Sequence, residues 1–433
     1  MYDYQMKTLP NGVRILSEHI PSLSSAALGI WVSTGSRDER STENGAAHFI
    51  EHMLFKGTET LSAAQLAGRM DAIGGHVNAF TSKELTCFHA RALKSHLHEA
   101  LDILCNMFFD SKFDENDVQM ERGVILEEIG MYQDDPADLV YERHSAAIYK
   151  GSPLARPILG KRSTLEKMTG EWLKNYKNSH YLPSKVVVCV AGSFEESILD
   201  EIADRFSSME PGSPLKTKPA LYQPALTLKR KATEQNHLVV GFPSLSVSSD
   251  RRFTLQVLSS ILGGGMSSRL FQEIREKRGL CYSVYTSGSC YQDTGNFTIY
   301  TASNKETEQQ ALSAIRDVVD CFLQEGITAE ELNRVREMSK ASVLMGMESN
   351  TAHMNHMARS VLSGIPILTP DQIISAYDAV TPEDVLQLAR DTFRWEQVSF
   401  SAVGKVAQEE EYRKALNVSA PDCIPPQTPP VCG

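Results

Sequence analysis

Residues 45–57 read "GAAHFIEHMLFKG" and set two histidines four positions apart, with a glutamate directly before the second. The stretch is otherwise apolar and free of proline, which predicts a helix. On a helix, positions i and i+4 project side by side, so His48 and His52 can grip one metal ion. Glu51 is next to His52 and one turn from His48, and its carboxylate can reach whatever the ion holds. Two core histidines with an ion-paired glutamate would be the plainer arrangement. Three polar groups crowded on one face of an apolar helix point instead to metal chemistry.

A catalytic zinc usually takes three protein ligands and leaves a position for water. The third ligand must therefore come from another element. Segment 115–133 is one long predicted helix carrying Glu115, Glu121, Glu127 and Glu128. Glu121 and Glu128 are seven apart and share a face, whereas Glu127 points about 100° away from Glu128.

Further out, residues 207–229 ("SSMEPGSPLKTKPALYQPALTLK") hold four prolines and no helical periodicity, as an interdomain linker would. The order of elements before it recurs after it. In the first half, two strands around "GGHVNAFTSKELTCFHARAL" lead into the helix "HLHEALDILCNMFF" and then "FDENDVQMERGVILEEIGMYQ". In the second half, "RGLCYSVYTSGSCYQDTGNFTIYTAS" leads into "EQQALSAIRDVVDCFLQEG" and "ITAEELNRVREMSKASVLMG". Strands grouped with strands and helices with helices predict an α+β fold of two tandem homologous domains, each a mainly antiparallel sheet faced by helices. The expected divisions are residues 1–206, the linker 207–229, residues 230–418 and a proline-rich tail at 419–433. No histidine occurs between His237 and His353. The second domain thus lacks the paired ligands and is left to do something else.

The chain has 433 residues and a net charge of −11, which argues against nucleic acid as a partner and suits basic or neutral substrates better. The N-terminus has no apolar stretch of the signal-peptide kind, and no apolar run is long enough to span a membrane. The eight cysteines are scattered, with no C-x-x-C pair. They read as reduced packing residues, and the expected location is the cytoplasm.

His48, Glu51 and His52 form the inverted motif H-x-x-E-H. With "ERGVILEE" downstream, the chain resembles the pitrilysin and mitochondrial-processing-peptidase family of metallopeptidases. The resemblance runs from "LPNGVRI" to the helices around residue 390, and includes "GGHVNAFTSKE" and "ILGGGMSSRLFQEIREKRGLCYSVYT". It implies a zinc endopeptidase acting on unfolded peptides or precursor extensions, with one zinc per chain that cobalt or manganese can replace. It makes Glu128 the third ligand, Glu121 an acid supporting the ligands, and Glu51 the general base. It also implies that a peptide adds as a strand beside Asn78, Ala79 and Phe80, and that Arg275 and Tyr282 bind substrate and stabilise the oxyanion. Members about twice as long enclose peptides between two halves. A two-domain chain is accordingly expected to build that chamber as a homodimer, with sites completed across subunits.

Overall fold

The computed structural model describes residues 4–214 and 217–418. Strands β1 (Tyr4–Thr8), β2 (Arg14–His19), β3 (Ser25–Val32), β4 (His76–Thr81), β5 (Thr86–Leu93) and β6 (Val186–Gly192) form one sheet in the order β1-β2-β6-β3-β5-β4. Strands β7 (Leu226–Arg230), β8 (Asn236–Ser244), β9 (Ser283–Cys290), β10 (Gly295–Ser303) and β11 (Ser399–Gly404) form a second, in the order β7-β11-β8-β10-β9. The pairs β2–β6 and β7–β11 are parallel and the remaining pairs are antiparallel. With β1 set aside, the two sheets have the same strand order and the same directions. The chain is a duplicated α+β fold.

Strand β3 shows why the sheets are buried on both faces. Ala26, Leu28, Ile30 and Val32 enter the core beneath the helices Ala46–Met53, Leu97–Asp110, Gly170–His180 and Ser197–Ser207. Alternate residues of a strand point to opposite faces, and Ala27 and Trp31 turn the other way, against Met354, Met357 and Ala358. Those three residues belong to the helix Asn350–Leu362, from the second half of the chain. The second sheet reciprocates, for the helix Pro136–Ile148 of the first half packs Val140 against Val239, Tyr300 and Val403. Each sheet is thus covered on one face by a helix from the other half.

Glycines make room for both crossings. A Cβ at Gly29 of β3 would collide with Met354, and one at Gly241 of β8 would collide with the His144 ring. Polar contacts add to the packing. Glu18, buried in β2, lies 2.8 Å from His353 Nδ1, and Asn350 Nδ2 donates to Ser25 Oγ at 3.0 Å. At the tips of the hairpins, Arg37 joins Glu84 of the β4–β5 turn to Asp293 of the β9–β10 turn, each at 2.5 Å.

The expected linker is too long at its C-terminal end. Leu226–Lys229 belong to β7, which closes the second sheet by pairing with β11. No helix or strand occurs between Ser207 and Leu226 among the described residues, yet Ala220 is buried there. The expected tail, 419–433, lies outside the described residues. The six cysteines described are free; Cys87, Cys105 and Cys189 are buried, whereas Cys290 and Cys321 are exposed. No helix among the described residues is long and apolar enough to cross a membrane.

Candidate metal centre

The short helix Ala46–Met53 carries the histidines. Its N-terminus is held by Glu39, a residue with no assigned part in the sequence reading. The Glu39 carboxylate, 2% exposed, accepts hydrogen bonds from Gly45 N, Ala47 N and Asn44 Nδ2, each at 2.9 Å. These contacts satisfy free amides at the helix end, although burial outweighs them and raises the Glu39 pKa to about 8. The helix Glu115–Asp134 lies against this one and brings in the acids.

Nε2 of His48 and Nε2 of His52 lie 3.6 and 3.7 Å from the same oxygen, Oε2 of Glu128. The imidazoles face each other edge to face, 4.7 Å between centroids. One ligand atom from each of the three residues falls within 4.8 Å of the others, the one such group of three or more among the described residues. Glu121 Oε2 lies 3.0 Å from His52 Nδ1, and its other oxygen binds Lys56 Nζ at 2.6 Å. A proton on Nδ1 shared with Glu121 leaves the Nε2 lone pair of His52 for a metal. His48 Nδ1 is buried without a hydrogen-bond partner among the described residues. Burial, and then the neighbouring His52, push the His48 pKa down to about 3. The ring is neutral at ordinary pH, as a metal ligand must be. Two neutral imidazoles and a carboxylate around a partly open position fit catalytic zinc.

Glu51 stands beside this group without joining it. Its Oε2 accepts a 2.5 Å hydrogen bond from the hydroxyl of Thr81, the last residue of β4. Burial, the largest influence, and the nearby Glu128 charge raise its pKa; Thr81 and His52 oppose them without prevailing. β4 is an edge strand, with β5 on one side and no strand on the other. Ala79 N donates to the Asn78 side chain at 2.8 Å, so this amide faces the open edge. Phe80 packs edge to face on Trp31, 5.6 Å away.

His48, Glu51, Phe80, Thr81 and Glu128 line a cleft of about 430 Å³. Asp138 and Glu142 contribute two more carboxylates to it, and Ser289, Tyr291 and Asn296 of the second domain form part of its wall. Arg275 and Tyr282 are not among its lining residues. They meet each other, the guanidinium 5.4 Å from the tyrosine ring, in the second domain, where Tyr282 is 71% exposed. Glu127 does not join the three ligand residues. Glu39, Lys56, Thr81, Asp138 and Glu142 had no role in the sequence reading. Thr81 directly follows the edge stretch and Lys56 follows the histidine helix, but nothing local marks either as a partner of the site.

Comparison with known proteins agrees with this geometry. The family described as "Insulinase (Peptidase family M16)" matches residues 14–162, and "Peptidase M16 inactive domain" matches residues 167–339. The second match begins within the first structural domain, just before the helix Gly170–His180. The chain is 43% identical to the "Uncharacterized zinc protease YmxG" of Bacillus subtilis, over 89% of this chain and 95% of that one. It is 37% identical to an uncharacterized zinc protease of Streptomyces coelicolor, over 94% and 90% of the two chains. In fold it is similar to the crystal structure of a protease from Helicobacter pylori, with a TM-score of 0.87 at 20% identity, covering 93% of this chain and 99% of that one. The family matches reach into both sheets, the relatives are named for zinc, and a His-His-Glu donor set suited to that ion lies together beside one cleft: the chain is a zinc metallopeptidase of peptidase family M16.

Proposed function

We propose that this peptidase cleaves extended segments, either unfolded peptides or the extensions of precursor proteins, laid as an added strand along β4. The observation that carries the reading is the contact between Glu51 and Thr81, which ties a half-buried carboxylate to the end of an open strand edge beside the ligand group. Main-chain hydrogen bonds to such an edge hold a peptide extended whatever its side chains.

His48, His52 and Glu128 would hold zinc, which would supply electrophilic assistance and a lowered pKa for a water molecule. Glu51 is the general base that accepts the water's proton and later returns it to the leaving amine. Its raised pKa suits both halves of that exchange. Asn78, Ala79 and Phe80 orient the peptide, and Glu121 with Lys56 keeps His52 turned toward the ion. Asp138 and Glu142, in a chain of net charge −11, favour basic residues near the scissile bond. The donor set also accepts cobalt or manganese.

Arg275 and Tyr282 fit a site completed across a homodimer. They pack together outside their own chain's metal cleft, Tyr282 exposed and Arg275 half-buried. In a two-fold assembly they reach the partner's zinc centre and donate to the developing oxyanion. Buried unpaired thiols suit the reducing cytoplasm, where we place the enzyme.

Glu51→Gln tests the core of the mechanism. Cleavage of a quenched fluorogenic peptide should fall by roughly 10²–10⁴-fold, with zinc content unchanged at one per chain. Full activity in that variant would remove Glu51 from the chemistry. A chelator should inactivate the wild type, and stoichiometric zinc should restore it.

A further inference from the structure

The metal cleft adjoins a larger cavity of about 730 Å³, and Lys83, Ile158, Ser289 and Tyr291 line both. This second cavity lies between the two halves of the chain. The turn Ser82–Leu85, which continues directly from β4, forms one wall. The helices Arg252–Gly263 and Asn350–Leu362 contribute Arg252 and Arg359 to the other.

The two spaces differ in charge. The metal cleft carries Glu51, Glu128, Asp138 and Glu142. In the larger cavity Glu84 is the single carboxylate among the lining residues. It is already committed to Arg37 at 2.5 Å and to the amide of Gln292 at 3.1 Å. Arg252 and Arg359 have no carboxylate within ion-pairing distance among the described residues. The Arg252 guanidinium rests 4.7 Å from the Phe253 ring, with one long 3.4 Å contact to the Ser249 carbonyl. That of Arg359 packs against the Trp31–Phe80 pair, 5.6 and 5.5 Å from the two rings. Packing on aromatic rings fixes a guanidinium in place and leaves its N–H edge for an oxyanion. Phe80 belongs to β4 and also lines the metal cleft, so Arg359 stands on the substrate strand itself.

We propose that this cavity is a second subsite for the substrate peptide, which takes an acidic side chain a few residues from the scissile bond. The inference rests on β4 being the peptide platform. A peptide that follows β4 past Thr81 runs beside Ser82–Leu85 and enters the cavity, where Arg252 and Arg359 receive its carboxylate. The preferred substrate then has opposite charges in register: a basic residue near the cut, facing Asp138 and Glu142, and an acidic one farther along on one side.

The test uses a neutral quenched peptide and a series in which one Glu is moved along it on either side of the cut. Wild-type enzyme should cleave one member with kcat/KM raised roughly tenfold over the neutral peptide, the size of one charge-assisted contact. The gain should appear on one side of the cut only. In Arg252→Gln/Arg359→Gln the ratio between the two peptides should fall to about one, whatever the absolute rates. Anisotropy with labelled peptides bound to the Glu51→Gln chain reads the same ratio without turnover, so failure of the peptidase mechanism and failure of the subsite give different results. Inorganic phosphate should compete with the Glu peptide and leave the neutral one unaffected. Equal handling of all peptides by the wild type, or a gain that survives in the double variant, overturns the proposal. So does acceleration of neutral-peptide cleavage by phosphate, which would make the cavity a site for a free anion.

Discussion

Glu121 divides its two oxygens between His52 Nδ1 and Lys56 Nζ and is itself only 6% exposed. The ammonium offsets the carboxylate charge, and the carboxylate fixes the imidazole so that a single tautomer faces Glu128. Removing such a partner typically weakens metal affinity by about 10–100-fold. Glu121→Gln should therefore lose zinc to a competing chelator by roughly that factor. Glu128→Gln should lose it more readily still, and Glu127→Gln should titrate like the wild type. If Glu127→Gln proves the weakest binder, the ligand is one position from where the geometry puts it. Part of this site is legible from spacing alone. His48, Glu51 and His52 lie within one turn of one another, and Glu121 and Glu128 repeat after two turns. What the spacing does not contain is the packing of one helix on the other, which brings Lys56 to Glu121, or the approach of Thr81 to Glu51 from a different layer. Asp138 and Glu142 sit on a different helix, Pro136–Ile148, and only the fold brings them to the cleft.

At the scale of elements, β4 carries the strongest expectation. An unpaired strand edge invites association with any other extended chain, and here Asn78 covers one outward amide with its own side chain. An incoming peptide has to displace that hydrogen bond or share it. Ala79→Pro deletes the outward N–H without removing a bond to β5, so KM for peptides should rise several-fold while zinc content and far-ultraviolet circular dichroism stay as in the wild type. An unchanged KM would mean that the peptide does not pair at this residue. The hairpins on either side of the linker were readable because β4–β5 and β9–β10 each join two β-rich runs through a polar turn. β7 was not. It is a five-residue, partly exposed strand just behind four prolines, and its place is fixed by the partner β11, about 170 residues away in sequence.

Across the whole molecule, the exchanged helices make the two sheets one structure, and His353 reports on that bond. Burial lowers its pKa, but the hydrogen bonds to Glu18 and to the Met347 carbonyl, with the Glu18 charge, outweigh burial and leave it raised above the ordinary 6.5. A raised histidine pKa contributes stability that is complete below the unfolded value and is lost as pH rises through the folded one. The difference in Tm between wild type and His353→Gln should thus be largest near about pH 6 and smaller by about pH 9; a pH-independent difference would mean that the contact is held by a neutral ring. The proposed dimer is testable by complementation. Glu51→Gln and Tyr282→Phe chains should each be poorly active, and verified hybrids of the two should recover about half the activity of an intact dimer, since one of two composite sites keeps both groups. Hybrids no better than either parent would refute sharing. The exchange itself was not legible, because the apolar stripe of a helix says that it is covered and not by which sheet. It also sets a timetable for synthesis. The last strand of the first sheet is finished at Gly192, but the helix that covers Leu16, Trp31 and Val187 ends at Leu362. A nascent chain therefore leaves the ribosome with one face of its first sheet bare while some 170 further residues are translated, and whatever shields that face in the interval, a chaperone or the ribosome surface, is part of how this enzyme comes to exist.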